Sequence, residues 1–165
     1  MPESRVWAWY GLALLVVVLD QLTKGLARAL LVYGQPLAVL PIFDLSLHFN
    51  PGAAFSFLAG AGGWQRWFLS ALALVVSAVL LVWLARLRRE QWLLALALAL
   101  ILGGAIGNLI DRLWLGHVTD FIALHWNHRY FPAFNLADAA ITLGAIALIL
   151  DTLLHPAQHG SKPRE

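Results

Sequence analysis

The chain has 165 residues, of which 61% are hydrophobic and 12% are charged, and its mean hydropathy is +0.74. Soluble domains carry about twice that share of charged residues, so the composition predicts an integral membrane protein with little room for a separate soluble domain. The sequence contains no cysteine, which excludes disulfides, a thiolate nucleophile and a cysteine-ligated metal site. A net charge of +2 gives no reason to expect nucleic-acid binding.

Four apolar segments are long enough to cross a bilayer, which takes about 20 residues of helix. They occupy residues 6–26, 67–85, 92–110 and 134–154. The predicted fold is therefore an α-helical integral membrane protein with four transmembrane helices. The first and fourth segments carry ionisable residues toward their ends, whereas the second carries none.

The basic residues predict how these segments are oriented. Arg5 precedes the first span, Arg86, Arg88 and Arg89 lie between the second and third, and Lys162 and Arg164 follow the fourth. All three groups fall on one side of a four-span topology, and by the positive-inside rule that side is cytoplasmic. We therefore expect both termini inside the cell and the longer connections outside. One domain is expected over residues 1–155, with an outer loop over about 31–64 and a polar cytoplasmic tail over 156–165.

The first span has an alternative interpretation. Arg5, the apolar run and the Ala-Arg-Ala sequence at 27–29 are also compatible with a cleaved signal peptide, which would leave three spans. Against this, Asp20, Lys24 and Arg28 make the expected cleavage region polar. Such a stretch suits the buried end of a helix better.

The outer loop between the first two spans has a different pattern from the helices. Its apolar residues alternate at Phe43, Leu45, Leu47 and Phe49, which predicts short β-strands. A turn follows in the sequence NPGAAF, where Gly52 permits close approach of a substrate backbone next to Asn50. Taken alone, this sequence is a weak indication of a site, because most such motifs are only turns.

Two aspartates give the strongest indication of chemistry. Asp120 in GHVTDF and Asp138 in FNLADAAI lie at the mouths of very apolar segments, where a carboxylate is costly and usually functional. A loop containing Pro132 is expected to return the chain to the same membrane face and bring the pair together. Two carboxylates in a low-dielectric pocket do not both ionise easily, and a pair that shares one proton is what an aspartyl hydrolase needs. A favourable interaction with the helix dipole is enough to explain a carboxylate at Asp138, in the first turn of a helix. It does not explain the presence of Asp120 on the same side.

Other polar residues share helix faces near the same side of the membrane. Asp20 and Lys24 are four residues apart, which is the spacing of a salt bridge. Asn108 is expected to hydrogen-bond across helices. Asp111 and Arg112 are expected to form an ion pair with each other or between helices.

Two further features concern packing and positioning. Gly103 and Gly107 form a small-xxx-small pair, which favours close helix packing. Asn135 lies one turn before Asp138. It is expected to position a carboxylate or a substrate amide.

Metal and serine chemistry are weaker alternatives. His117, His125 and His128 share the second outer connection, but it contains neither glutamate nor the H-E-x-x-H sequence of zinc peptidases, and exposed loop histidines account for them as well. No metal site or cofactor is therefore expected. Four serines lack an evident histidine or lysine partner at the mouth of a helix: Ser46, Ser56, Ser70 and Ser77.

Five short motifs occur in order along the chain. They are LDQLTK (19–24), NPGAAFSF (50–57), GGAIGNLIDR (103–112), GHVTDF (116–121) and FNLADAAI (134–141). Each motif is short, but the ordered set at membrane boundaries closely resembles the bacterial lipoprotein signal peptidase family, signal peptidase II. The resemblance covers nearly the whole chain.

The resemblance implies four transmembrane helices with a small β-rich extracytoplasmic cradle. The expected location is the bacterial cytoplasmic (inner) membrane, with the active site near the periplasmic face. The implied function is an intramembrane aspartyl endopeptidase that removes the signal peptide from diacylglyceryl-modified prolipoproteins, cutting N-terminal to the lipidated cysteine. Catalysis needs no metal and no cofactor. The implied partners are the prolipoprotein substrate, membrane lipid and globomycin-type cyclic peptide inhibitors, and the enzyme is expected to act as a monomer.

The family's functional positions map onto matching residues of this sequence. The implied catalytic pair is Asp120 and Asp138. The implied supporting or substrate-binding residues are Asp20, Lys24, Asn50, Gly52, Asn108, Asp111, Arg112 and Asn135.

Two other classes of membrane protein compete with a peptidase. A proton-coupled transporter also uses intramembrane carboxylates, but transporters usually show repeated halves, and this short chain shows no repeat. A non-enzymatic scaffold leaves the ordered asparagines and aspartates unexplained.

Overall fold

The computed structural model describes residues 3–52, 62–127 and 129–155, without the side chains of residues 3–5. Its helices are α1 (Glu3–Leu30), α2 (Trp64–Arg86), α3 (Trp92–Trp114) and α4 (Leu136–Leu154). All four are long and apolar enough to span a membrane, so the four-helix prediction is confirmed. α1, α2 and α3 extend beyond the predicted spans by up to four residues at an end. The polar tail expected over 156–165 lies outside the described residues.

Helix α3 is the centre of the bundle. About two thirds of its apolar window (67%) is buried, against 17%, 22% and 28% for α1, α2 and α4. It packs against each of the other three helices. The remaining helix surfaces expose large apolar side chains such as Leu14, Leu74 and Leu143. Those surfaces suit the acyl chains of a bilayer.

Glycines allow the helix backbones to meet. A Cβ at Gly103 would lie 2.7 Å from the carbonyl oxygen of Ala13 on α1, and a Cβ at Gly107 would lie 2.6 Å from Oδ2 of Asp20. The predicted small-xxx-small pair therefore sets the approach of α1 to α3. Gly104 makes the corresponding close contact with the carbonyl of Ala137 on α4.

The described residues outside the helices form a four-stranded antiparallel sheet. Its strands are β1 (Leu37–Leu40), β2 (Phe43–Asn50), β3 (Val118–Trp126) and β4 (Arg129–Tyr130), in that spatial order. The β2 strand confirms the alternating pattern of the outer loop. The connection that was expected to return the chain from Asp120 to Asp138 does so, and β3 and β4 occupy much of it. Strand β3 pairs with strand β2, and the local sequence pattern does not reveal this pairing between distant residues.

Backbone hydrogen bonds join this sheet to the start of α4. The N–H of Ile122 donates to the carbonyl of Phe134 at 2.9 Å, and the N–H of Phe134 donates back to Ile122 at 3.0 Å. Because Asp120 lies two residues before Ile122 and α4 begins just after Phe134, these bonds bring Asp120 to the N-terminus of α4.

Candidate active site

Asp120 and Asp138 are linked through two asparagine side chains. Nδ2 of Asn135 donates to Oδ1 of Asp120 at 2.8 Å, and Nδ2 of Asn108 donates to Oδ1 of Asp138 at 2.8 Å. The two amides also meet, since Nδ2 of Asn135 lies 3.2 Å from Oδ1 of Asn108. The structure therefore places the two aspartates at one site, with each carboxylate held by an amide donor.

The ionisation of Asp120 is strongly perturbed. This carboxyl lies on β3, outside the spanning helices, and is only 3% exposed. Burial and the negative charge of Asp138 raise the pKa of Asp120 to about 7, although hydrogen bonds from Asn135 and Asn50 and the charge of Lys24 act in the opposite direction. Near neutral pH this group is thus divided between its acid and base forms, as a general acid–base catalyst requires.

Asn135 also caps helix α4. The N–H of Asp138 donates to Oδ1 of Asn135 at 2.9 Å, and the N–H of Asn135 donates to Oδ2 of Asp138 at 3.3 Å. This reciprocal capping box uses the orphan N–H groups of the first turn. It also fixes Asp138 so that Oδ1 remains directed at Asn108.

Lys24 is a fully buried cation at the centre of the network. Its Nζ lies 2.8 Å from Oδ2 of Asp20 and 3.4 Å from Oδ2 of Asp111, and it donates to Oδ1 of Asn108 at 2.8 Å. The predicted Asp20–Lys24 salt bridge is confirmed. A buried charge is tolerated only when it is paired in this way. Because an ammonium can only donate, Lys24 forces the amide oxygen of Asn108 toward itself and the NH₂ toward Asp138.

Helix α1 is tied to α3 and α4 by its polar end. Oδ1 of Asp20 accepts a hydrogen bond from the N–H of Ala137 at 2.9 Å, in the first turn of α4. Nε2 of Gln21 donates to Oδ1 of Asp111 at 3.1 Å and to the carbonyl of Gly107 at 3.0 Å. These contacts favour a retained first helix over the alternative of a cleaved signal peptide.

Asp111 connects helix α3 to the sheet. Its Oδ2 accepts a hydrogen bond from the N–H of Thr119 at 2.9 Å, next to Asp120. Its ion-pair partners are Lys24 and, at 4.0 Å, Arg28, both on α1. Of the two arrangements expected for Asp111, the structure therefore has the interhelical pair.

Arg112 lies beside the aspartates and holds the outer turn. Its Nη2 donates to the carbonyl of Gly52 at 3.2 Å, and its charge interacts with both Asp120 and Asp138. Asn50 orients the same turn, because its Oδ1 accepts from the N–H of Gly52 at 3.0 Å while its Nδ2 donates to Oδ2 of Asp120 at 3.2 Å. The remainder of this turn, residues 53–61, lies outside the described residues.

A groove of about 710 Å³ opens next to Asp120 on the outer side of the sheet. Polar side chains of β2 line one wall, and Tyr33, Tyr130 and Phe131 contribute aromatic surface. The groove extends from a buried titratable carboxyl to an open surface.

The histidines of the second connection have separate surroundings. His125 lies on β3, partly buried, with Nε2 3.3 Å from Oδ1 of Asp44 and its ring stacked on Tyr130, so the explanation by exposed loop histidines is wrong for this residue. The ring centroid of His117 lies 4.4 Å from that of Phe49, and burial lowers its pKa. His128 lies outside the described residues, and the described part of the chain has no cluster of three metal-binding side chains.

The sequence matches the family model described as Signal peptidase (SPase) II over residues 12–154. The chain belongs to the signal peptidase II family. The lipoprotein signal peptidase of Ectopseudomonas mendocina is 56% identical, over 92% of both chains. That of Pseudomonas putida is 59% identical, over 87% of this chain and 85% of the relative.

Solved structures of the same fold support this membership. One, described as a bacterial membrane enzyme solved by the in meso method at 2.3 Å resolution, has a TM-score of 0.82 and 28% identity, and the match covers 96% of this chain and 94% of that one. Another, solved at 1.9 Å, has a TM-score of 0.77 and 30% identity, over 88% and 92% of the two chains. The resemblance drawn from the five motifs is thus confirmed, and with it the class of lipoprotein signal peptidase, a multi-pass membrane enzyme.

Sequence reasoning missed several members of this signal peptidase II site. Gln21 and Thr119 stand next to the predicted Asp20 and Asp120, inside the recognised motifs, and adjacency was the only local signal for them. The sequence also did not indicate the contact of Ser46, whose Oγ lies 2.9 Å from Nε2 of His48 within strand β2 and not at the end of a helix. Both residues line the groove.

Proposed function

We propose that this signal peptidase II family member is an aspartyl endopeptidase that removes the signal peptide from diacylglyceryl-modified prolipoproteins. The cut lies N-terminal to the lipidated cysteine, and Asp120 and Asp138 are the catalytic pair. One observation carries the proposal: the pKa of Asp120 is raised to about 7 by burial and by the charge of Asp138. A carboxylate pair with one proton at neutral pH contains both a base and an acid.

The proposed reaction cycle leaves the aspartate pair with one proton, as at its start. The ionised carboxylate takes a proton from water as the water oxygen attacks the scissile carbonyl carbon, and the protonated carboxyl donates to the carbonyl oxygen. In the second step the C–N bond breaks. The first aspartate passes its proton to the leaving amine of the cysteine, and the second recovers one from the diol. The pair returns to one proton, and it titrates as a unit.

The supporting residues are assigned positioning roles in this mechanism. Asn135 and Asn108 each direct an NH₂ group at one catalytic carboxylate. Lys24 fixes the orientation of Asn108, while Asp20 and Asp111 neutralise Lys24. The outer turn is held beside the site by Asn50, Gly52 and Arg112.

The proposed location follows from charge and apolar surface. Both termini and the α2–α3 loop face the cytoplasm of the bacterial inner membrane, and the sheet and aspartates face the periplasm. The signal helix and acyl chains of the substrate lie in membrane lipid against the apolar helix surfaces. Residues 1–155 are proposed to act as one domain and as a monomer. Globomycin-type cyclic peptides are proposed to inhibit by placing a hydroxyl between the two carboxylates.

The test is cleavage of a purified diacylglyceryl-modified prolipoprotein by Asp120→Asn and Asp138→Asn. Each variant should lose at least about a hundredfold in kcat, because an amide neither accepts nor donates the transferred proton. Asp151→Asn is the matched control, since Asp151 lies at the opposite end of α4 and is expected to leave turnover unchanged. Unlipidated substrate, run alongside, should not be cleaved.

Two results would contradict the proposal. Near-normal turnover by either dyad variant would exclude that aspartate as a catalyst. Absence of cleavage by folded wild-type enzyme would exclude the substrate class.

A further inference from the structure

A polar pair faces the groove from strand β2. Oγ of Ser46 lies 2.9 Å from Nε2 of His48, and both residues line the groove with Asp120. In the β2–β3 register His48 stands directly opposite Asp120. Directly opposed side chains in an antiparallel pair lie on the same face of the sheet. His48 is therefore a direct cross-strand neighbour of a proposed catalytic residue, and Ser46 lies beside it.

Local backbone geometry directs these two side chains outward. The β2–β3 pairing shifts register between Leu45 and His48, the mark of a bulge or similar irregularity. Bulges re-aim side chains and are frequent beside active sites. Leu47, between the pair, is buried in a cluster with Ala27 and Phe121, so its neighbours project to the opposite side.

The pair is not needed by the carboxylate network. The hydrogen bonds of Asp120 come from Asn135 and Asn50. The contacts of His48 are instead Ser46 and an edge-to-face approach to the ring of Tyr33 at 6.2 Å. Ser46 is only 4% exposed, and its hydroxyl and the imidazole form a polar pair close to the aromatic side chains of the groove, which suits a polar ligand.

We propose that Ser46 and His48 form a subsite for the peptide backbone of the substrate on the C-terminal side of the scissile bond. This inference rests on the proposed function. Substrate residues before the cut belong to the apolar signal helix and stay in the bilayer, so only those after the lipidated cysteine can follow the groove away from Asp120. A serine hydroxyl and an imidazole together offer both a donor and an acceptor, which match a peptide N–H and C=O whatever the side chains.

The test compares two lipidated substrates with the same signal peptide. One ends at the modified cysteine as a carboxamide, and the other continues for about five residues, enough to span the groove at about 3.3 Å per residue. The variants are His48→Ala and Ser46→Ala. His155→Ala is the matched control, because it removes a histidine at the C-terminal end of α4 that does not line the groove. KM and kcat are measured for each enzyme with both substrates.

The expected result is a selective rise in KM. For the long substrate each groove variant should raise KM about three- to tenfold with little change in kcat, the effect of one lost hydrogen bond. The ratio of kcat/KM between long and truncated substrates should fall by the same factor, and the control should keep the wild-type ratio. An equal loss on both substrates would assign the pair to structure or to the lipid headgroup and overturn the inference, as would an unchanged ratio. Failure of wild-type enzyme to cleave either substrate would instead overturn the proposed function itself.

Discussion

Asn135 performs two tasks with one amide group. Its oxygen caps helix α4 through the N–H of Asp138, and this leaves its NH₂ to face Asp120. The geometry of the helix start therefore determines the donor direction at the carboxyl proposed to be catalytic. An aspartate at this position would keep the cap but lose the donor, and it would add a third negative charge to the pair.

The raised pKa of Asp120 predicts a pH dependence of cleavage. Above about pH 7 the pair loses its remaining proton and has no general acid, so kcat/KM should fall about tenfold per pH unit on the alkaline side. A hydrogen bond to an ionised carboxylate lowers its pKa. Removing the Asn50 bond in Asn50→Ala should therefore raise the pKa of Asp120 and move the alkaline limb to higher pH.

The measurement is a profile of kcat/KM from about pH 5 to about pH 9 for wild type and Asn50→Ala. Ser77→Ala serves as the control, since this serine lies within α2, away from the site. A limb that moves to lower pH in Asn50→Ala would contradict the assignment of the limb to Asp120.

At the scale of elements, Lys24 joins helices α1 and α3 by charge as well as by packing. In Lys24→Met the carboxylates of Asp20 and Asp111 would face each other without a cation, and Asn108 would be free to turn its amide. Breaking a buried ion pair costs about 3–5 kcal/mol, so the melting temperature in detergent should fall sharply and cleavage with it. Arg28→Met is the matched control. Its pair is longer and Arg28 is partly exposed, so the expected loss is below about 1 kcal/mol.

A further variant in this experiment removes the charges of the two carboxylates that pair with Lys24. Lys24→Met combined with Asp20→Asn and Asp111→Asn should recover much of the lost melting temperature, because no buried charge then lacks a partner. Equal destabilisation by Lys24→Met and Arg28→Met would contradict a central role for the buried cation.

The elements also explain what the sequence could and could not predict. The four helices follow from long apolar runs, and β2 follows from strict alternation at 43–49. Strand β3 was missed because its burial pattern has no such alternation: Val118 to Phe121 are all buried, between helix and sheet. Which amide faces which carboxylate depends on contacts between residues far apart in the chain, such as Lys24 to Asn108, and a local pattern does not contain them.

For the whole molecule, charge is segregated along the bundle axis. The Asp20–Lys24–Asp111 network and both proposed catalytic aspartates lie at one end, next to the sheet. At the other end Arg86 is the last residue of α2, and Arg88 and Arg89 follow it. Between them the helix surfaces are apolar. A substrate with an apolar signal helix and acyl chains therefore meets the carboxylates only where its cysteine reaches the edge of the bilayer.

This segregation predicts which end faces the periplasm. The chain has no cysteine, so a single introduced thiol reports on its position alone. Trp126→Cys places a thiol on the exposed part of β3, and Glu90→Cys places one in the α2–α3 loop without removing a positive charge. A membrane-impermeant maleimide should label Trp126→Cys in intact spheroplasts, but Glu90→Cys only after permeabilisation, because the arginine-rich loop stays cytoplasmic. The reverse pattern would place the aspartates on the cytoplasmic side, where a lipidated cysteine exported with its prolipoprotein would never reach them.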